Sequence, residues 1–205
     1  KFIIINKNAF NPKKKEINQK NKYKIGIFLG ANCKISKIKN ILKAIYKFNI
    51  SKYSFNFFIL GDYSKNLNKL IKKKNISKIK FFKNLNSKIF LNKFYKSDLA
   101  IGEGGNAALE RYVMQIPSLN FLTNKNQKKI LNLRLNKKLF YANKKQFKNS
   151  YLYYFSEINL FLRNFKNFKK RSKYNLTYPD KFGAKRIALK TKFFINQSRL
   201  HTKRS

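Results

Sequence analysis

The stretch SDLAIGEGGNAALERYVMQIPSLNF, Ser97–Phe121, decides the fold of this chain. It holds three of the seven glycines and three of the seven acidic residues in a chain of 205 residues. Elsewhere the sequence is dominated by Lys, Asn, Ile and Phe. Glycine is needed where the backbone turns tightly or a ligand approaches it closely, so this concentration indicates a backbone with a special task.

The stretch is typical of a strand, a tight turn and a helix. Asp98–Gly102 is a short apolar run, which predicts a buried strand. Gly104 and Gly105 then predict a turn, and Asn106 is a good N-cap for a helix over about 107–115. A further strand is predicted at Ser118–Leu122, after a proline that ends the helix.

The same alternation of apolar strands and amphipathic helices extends to both sides. Further strands are predicted at 24–29, 54–60 and 76–82, and helices around 38–48, 67–71, 89–95, 126–135, 151–165 and 178–194. Alternating elements of these lengths indicate βαβ units and a parallel sheet. The strands are continuously apolar, which predicts helices on both faces. The fold class is therefore α/β with a Rossmann-like sheet, in which ligands bind at the carboxyl ends of the strands.

The formal net charge is +42, which raises the question of a nucleic-acid partner. Lysine outnumbers arginine 42 to 7, and lysines are spread along the whole chain. Lys, Asn, Ile, Phe and Tyr all have A/T-rich codons, so genomic base composition explains their excess together. Base-edge recognition favours arginine. We therefore expect no specific nucleic-acid partner, although nonspecific binding to polyanions is expected and a basic RNA-associated protein stays an alternative.

The scarcity of cysteine and histidine restricts the chemistry. Cys33 is the only cysteine, which excludes an internal disulfide and a Cys-rich metal site, and the only histidine, His201, lies in a basic tail. No metal ion and no cofactor are predicted. The sequence shows no membrane span and no signal peptide, so a cytoplasmic location is expected.

The glycine turn has the chemistry of a phosphate-binding site. The first turn of a helix presents N–H groups without acceptors and the positive end of a dipole, so Gly105, Asn106 and Ala107 could bind a phosphate. Glu110 follows one turn later, and its carboxylate could accept two ribose hydroxyls. Together they fit a nucleoside diphosphate. In the alternative interpretation, the glycines only allow the helix to pack on the strand, and Glu110 pairs with Arg111 or a lysine.

Ser97–Phe121 also closely resembles the signature of the UDP-2,4-diacetamido-2,4,6-trideoxy-β-L-altropyranose hydrolase family of pseudaminic acid biosynthesis, with its spore-coat polysaccharide relatives. That family is similar to GT-B glycosyltransferases. The resemblance continues through Asn126–Gln127 and Tyr178–Ile187, and KFIIINKNAF at the start resembles the segment that joins the two family domains. It covers nearly the whole chain, but only the C-terminal half of such a protein.

The resemblance implies roles for individual residues. Gly104, Gly105 and Asn106 would hold the pyrophosphate and Glu110 the ribose. Asn126 and Gln127 would lie beside the sugar or the distal phosphate, and the loop with Gly30 and Asn32 would add contacts. The chain departs from the family pattern at Ala31 and Cys33, which replace a glycine and an aspartate, and at Gln115, which replaces a glycine. The catalytic histidine that the family implies belongs to the missing N-terminal domain, so the catalytic residues are unknown.

The resemblance also implies a division of the chain and a reaction. Residues 1–22 would be the connector from an N-terminal domain, 23–195 the nucleotide-sugar-binding domain and 196–205 a basic tail. The expected function is the UDP-binding half of an enzyme that hydrolyses a UDP–sugar, with UDP leaving. A GT-B glycosyltransferase that uses a UDP-sugar donor is the alternative within the same fold, and a degenerate relic is a further one.

Overall fold

A parallel sheet lies at the centre of the described part of the chain. The computed structural model describes residues 23–30, 33–48, 52–60, 79–114, 116–122, 127, 140–141, 150–171, 188–189 and 191. Within these residues the sheet has six strands in the order β3-β2-β1-β4-β5-β6, and all five pairings are parallel. In chain order the strands are β1 Tyr23–Phe28, β2 Tyr53–Ile59, β3 Ile79–Lys83, β4 Leu99–Glu103, β5 Ser118–Phe121 and β6 Phe140–Tyr141.

The described helices cover both faces of this sheet. They are α1 Ile35–Ile45, α2 Ser87–Tyr95, α3 Asn106–Val113 and α4 Tyr151–Arg171. On one face, α1 and α4 pack together, and Phe48, just after α1, lies with its ring centroid 4.8 Å from that of Phe155 in α4. On the other face, α2 and α3 bury Phe28, Phe58 and Ala100 of the strands. The central strands are buried from both sides, which explains their unbroken apolar runs.

The predicted Rossmann-like sheet with helices on both faces is thus confirmed. The strands predicted at 24–29, 54–60 and 118–122 lie within one residue of β1, β2 and β5. The last long helix continues to Arg171, six residues beyond the predicted end. The two-residue strand β6 was not predicted. The helix predicted at 67–71, the connector 1–22 and the tail 196–205 lie outside the described residues.

None of the described helices combines the length and apolar character that a bilayer-spanning segment requires.

Candidate functional site

The predicted site lies where the strand order of the sheet reverses. The chain proceeds outward from β1 through β2 to β3 on one side, and through β4 and β5 on the other. In sheets of this topology, ligands usually bind beyond the carboxyl ends of the two strands at this point, which are β1 and β4 here. Gly30 follows β1 on one side of this point, and Gly104–Gly105 follow β4 on the other.

The two turns come close to each other at Gly30. Its φ is +86°, a conformation that favours glycine. A Cβ at this position would lie 3.4 Å from Oε2 of Glu103, the last residue of β4. Gly30 therefore allows both the turn of the first loop and the approach of the Glu103 carboxylate.

The turn from β4 leads into α3 through a glycine N-cap. Gly105 is the N-cap, with φ −82° and ψ −158°, and as a glycine it has no side chain to accept a hydrogen bond from the first turn of α3. Ala108 N–H donates to Gly105 O at 2.9 Å, so the first turn closes on Gly105. Asn106 was predicted as the N-cap, and this was wrong by one position because the helix begins at Asn106 itself. Asn106 is exposed and Ala107 is half-buried.

Gly104 has a different role from its neighbours. It is buried, and its N–H donates to Phe121 O of β5 at 3.0 Å. This amide is used inside the sheet, so it is not directed at a ligand in this conformation. The amides that the helix start leaves without an intrahelical acceptor belong to Gly105, Asn106 and Ala107, which we call the amide cradle.

Gln127 is brought to the cradle by the fold. Its side chain is buried, and its Nε2 lies 3.9 Å from the position of a Cβ on Gly105. This places a side-chain amide beside the helix start, whereas the predicted contact of Gln127 with the sugar or the distal phosphate stays a prediction. Asn32 and Asn126, the other two predicted contacts, lie outside the described residues.

Glu110 lies on the accessible side of α3. It is half-buried and stands four residues after Asn106 and three after Ala107, which puts the three residues on one helix face. The Arg111 guanidinium donates its hydrogen bonds to Glu103 O and Asn120 Oδ1, not to Glu110. Glu110 acts on Arg111 through its charge, which opposes the lowering of the Arg111 pKa by burial.

An ion pair that sequence reasoning missed lies at the same edge. Lys37 Nζ of α1 lies 2.6 Å from Oε1 of Glu103, and the two side chains are 16% and 19% exposed. An unpaired carboxylate here would repel a phosphate, so Lys37 makes the mouth of the sheet more favourable for an anion. Lys37 is one of 42 lysines, and no local signal distinguishes it.

Cys33 lies close to this pair but is not activated as a nucleophile. Burial raises the pKa of its thiol to about 12, and Lys37 only partly opposes that rise. Burial likewise raises the pKa of the Tyr154 hydroxyl, with smaller contributions from Cys33, Tyr153 and Glu103. Both groups are protonated at neutral pH, and reactive cysteines instead have lowered values.

The described part of the chain contains no cluster of three or more His, Cys, Asp or Glu side chains that could hold a metal ion. His201 lies outside it. The described residues bring together several hydrogen-bond donors and two acids. Glu103 forms an ion pair with Lys37, and Glu110 is half-buried on α3.

Comparison with known proteins identifies the fold. No family model and no curated sequence matches this chain. Among solved structures it is similar to S. aureus MnaA in complex with UDP, at 15% identity and TM-score 0.64 over 86% of this chain and 47% of that one. It is also similar to Methanocaldococcus jannaschii UDP-GlcNAc 2-epimerase in complex with UDP-GlcNAc and UDP, at 15% identity and TM-score 0.58 over 84% and 46% of the two chains.

A third similar structure is the C-terminal domain of a glycosyl transferase group 1 family protein, LpcC, from Francisella tularensis. It has 15% identity and a TM-score of 0.52, with 74% of this chain and 80% of that domain covered. The chain thus spans about half the length of the first two proteins and most of an isolated C-terminal domain. These similarities confirm the predicted fold class, a Rossmann-like domain of the kind that forms the C-terminal half of GT-B proteins.

Proposed function

We propose that this chain is the UDP-sugar-binding half of a nucleotide-sugar hydrolase that releases UDP from an amino-deoxy sugar in the biosynthesis of pseudaminic acid or related surface polysaccharides. The observation that carries the proposal is the glycine-capped start of α3 at the point where the strand order reverses. Solved structures of this fold hold UDP, and the sequence signature of Ser97–Phe121 supports the hydrolase assignment.

In this proposal the amide cradle binds the diphosphate. The N–H groups of Gly105, Asn106 and Ala107 and the positive end of the α3 dipole complement its charge. The negative charge on the diphosphate grows as the bond to the anomeric carbon breaks. Donors fixed in advance at that position stabilise the transition state more than the bound substrate. Gln127 adds a side-chain donor beside Gly105.

Glu110 binds the ribose in this proposal. A carboxylate cannot bind phosphate favourably, but it accepts hydrogen bonds from the two hydroxyls of a ribose. A hydrogen bond to a charged acceptor contributes about 1.5–3 kcal/mol. Glu110 would therefore select ribonucleotides over deoxyribonucleotides.

The water-activating base and most contacts to the sugar are assigned to a second domain. The described residues offer no activated nucleophile at the site, since the pKa of the Cys33 thiol is raised to about 12. The whole reaction is attack of water at the anomeric carbon, with the electron pair of the glycosidic bond leaving on UDP. This chain would contribute binding and stabilisation of the leaving group.

The test is calorimetric titration of the chain with UDP and with its 2′-deoxy analogue. The chain is expected to prefer UDP, and Glu110→Ala is expected to weaken UDP binding about 10- to 100-fold and to remove the preference. Asp98→Asn is the matched control, because Asp98 lies at the other end of β4, where its Oδ2 accepts from Lys24 N–H at 2.8 Å. The proposal fails if the chain shows no binding of UDP, or if the two variants behave alike.

Sugar transfer to an acceptor hydroxyl is the second candidate, since the chain is similar to the C-terminal domain of a glycosyl transferase. The two reactions share the leaving group and differ in the nucleophile. A product assay on the whole protein separates them, because hydrolysis yields free sugar and transfer yields a glycoside.

A further inference from the structure

Arg111 is an unusual cation in this protein. Its side chain is 2% exposed, whereas every other lysine and arginine whose exposure is described is half-buried or exposed. Taking a charge out of water is costly unless the charge is hydrogen-bonded or paired. A chain with 49 basic residues could place any of them at the surface, so this buried one needs a structural reason.

The guanidinium of Arg111 is fixed between β4 and β5. Its Nη2 donates to Glu103 O at 2.7 Å and to Asn120 Oδ1 at 2.5 Å. Asn120 is itself held, because its Nδ2 donates to Ser118 O at 3.1 Å and to Ser118 Oγ at 3.2 Å. A Cβ at Gly102 would lie 2.6 Å from Nη1, so the guanidinium lies directly on the glycine backbone.

Arg111 retains its charge in this position. Burial lowers the pKa of Arg111 to about 10, and the charges of Glu110 and Glu103 oppose that shift. The group is therefore cationic at neutral pH. Both of its hydrogen-bond acceptors are neutral oxygens, and Nε and Nη1 have no hydrogen-bond partner in the described part of the chain.

The bond to Glu103 O connects Arg111 to the amide cradle. The carbonyl of Glu103 and the N–H of Gly104 belong to the same peptide group. Arg111 holds the carbonyl, and Phe121 O holds the N–H at 3.0 Å. This planar group is thus fixed at both ends, immediately before Gly104 and Gly105, whose backbones are otherwise the most permissive in the turn.

We propose that Arg111 is a positioning residue for the diphosphate: it fixes the Glu103–Gly104 peptide that orients the amide cradle, and it supplies a buried positive charge behind that cradle. The inference rests on the proposed function for the nature of the ligand. Whatever the ligand, the inference states that anion affinity at the start of α3 depends on Arg111, a side chain that does not touch the anion.

Two substitutions test this, each with a matched control on the surface. Asn120→Asp keeps an acceptor for the N–H of Nη2. It also places a carboxylate against the guanidinium, and this negative charge neutralises the positive charge of Arg111. Asn92→Asp adds the same charge at an exposed site of α2. Arg111→Lys keeps the charge but loses the planar fork, and Arg163→Lys makes the same change at an exposed position of α4.

The experiment measures the affinity of the full chain for pyrophosphate, UDP and uridine at physiological salt, with circular dichroism as the check on folding. We expect Asn120→Asp to weaken pyrophosphate and UDP about tenfold and to leave uridine unchanged, with no such loss in Asn92→Asp. Arg111→Lys is expected to lose less affinity than a third variant, Arg111→Met, which removes the charge as well, and Arg163→Lys is expected to lose none. In the wild-type chain, the Nε–H resonance of Arg111 is expected to shift when pyrophosphate binds.

Each outcome separates this inference from the proposed function. The role of Arg111 is overturned if Asn120→Asp weakens UDP and uridine binding equally. It is also overturned if Asn120→Asp leaves pyrophosphate binding unchanged and the Nε–H resonance of Arg111 does not move. The chain could instead bind pyrophosphate in a way that depends on Arg111 but bind UDP no better than pyrophosphate. That result upholds the role of Arg111 and overturns the UDP assignment. Binding of neither ligand by the wild-type chain overturns both.

Discussion

Asn106 shows at the scale of one residue how the site differs from an ordinary helix start. A side chain usually caps the first turn of a helix, and asparagine is among the best capping residues. Here Asn106 is the first helical residue and the cap is Gly105, which has no side chain to accept a hydrogen bond from the first turn of α3. The cap residue therefore does not compete with a ligand for the backbone amides of this turn.

Replacing Asn106 by proline tests directly whether its amide binds a ligand. Proline lacks the N–H group but is well tolerated at the first position of a helix, and the extended conformation of Gly105 is compatible with a following proline. We expect Asn106→Pro to keep the thermal midpoint of the chain and to weaken UDP binding about tenfold.

Asn106→Ala is the control, because it removes the side chain and keeps the amide, so UDP affinity should stay near that of the wild type. If the proline variant binds UDP as well as the alanine variant does, the Asn106 amide is not a ligand of the diphosphate.

At the scale of elements, strand β4 and helix α3 form one unit. Gly102 lies under the Arg111 guanidinium, and a Cβ there would lie 2.5 Å from Phe28 O and 2.6 Å from Arg111 Nη1. Backbone and a fixed guanidinium surround this position, so neither can move aside easily. Glycine is required at position 102 by packing, whereas a Cβ on Gly105 would meet only Gln127 Nε2 among the described residues, at 3.9 Å.

The two glycines should therefore respond differently to alanine. Gly102→Ala is expected to lower the free energy of unfolding by about 1–3 kcal/mol through overpacking. Gly105→Ala is expected to cost no more than about 1 kcal/mol, since alanine is a poorer N-cap than glycine. Urea denaturation of both variants measures the difference. Equal destabilisation would show that Arg111 and Phe28 do not enclose Gly102 as described.

The sequence predicts these elements well because their signals are local. Apolar runs, glycines and Pro117 predict β1, β2, β4, β5 and α3 to within a residue or two at most boundaries. The strand β6 is two residues long, too short for any periodicity, so it could not be predicted. The glycine turn and Glu110 were likewise found from local pattern and resemblance.

The contacts that support the site could not be predicted, because only the tertiary fold brings their residues together. Lys37 and Glu103 are 66 residues apart, and nothing in a lysine-rich helix marks Lys37 as the partner. Arg111 and Asn120 are 9 residues apart but meet only because α3 folds back on β5. One signal was present, since arginine is rare in this chain and Arg111 stands inside the glycine stretch.

At the scale of the whole molecule, the charge of +42 dominates any encounter with a polyanion. The described lysines lie at exposed or half-buried positions on several helices and strands, so the charge is distributed over the surface. Such a distribution favours binding without sequence selectivity, and the binding should weaken steeply with salt because counterions are released.

We therefore expect the affinity for a mixed-sequence RNA to fall by on the order of 10³ between low and physiological salt, while UDP affinity changes far less. Filter binding over a salt series checks this, with RNAs of unrelated sequence as mutual controls. Tight binding of one sequence that persists at high salt would instead favour the RNA-associated alternative.

The central claim is that the amides of Gly105, Asn106 and Ala107 bind the diphosphate of a UDP-sugar. The most direct measurement is a titration of the ¹⁵N-labelled chain with UDP, followed through its backbone amide resonances. We expect downfield proton shifts at these three amides, with little change at Gly104, whose N–H already donates to Phe121 O. Saturable UDP binding that leaves the three resonances unmoved would contradict it.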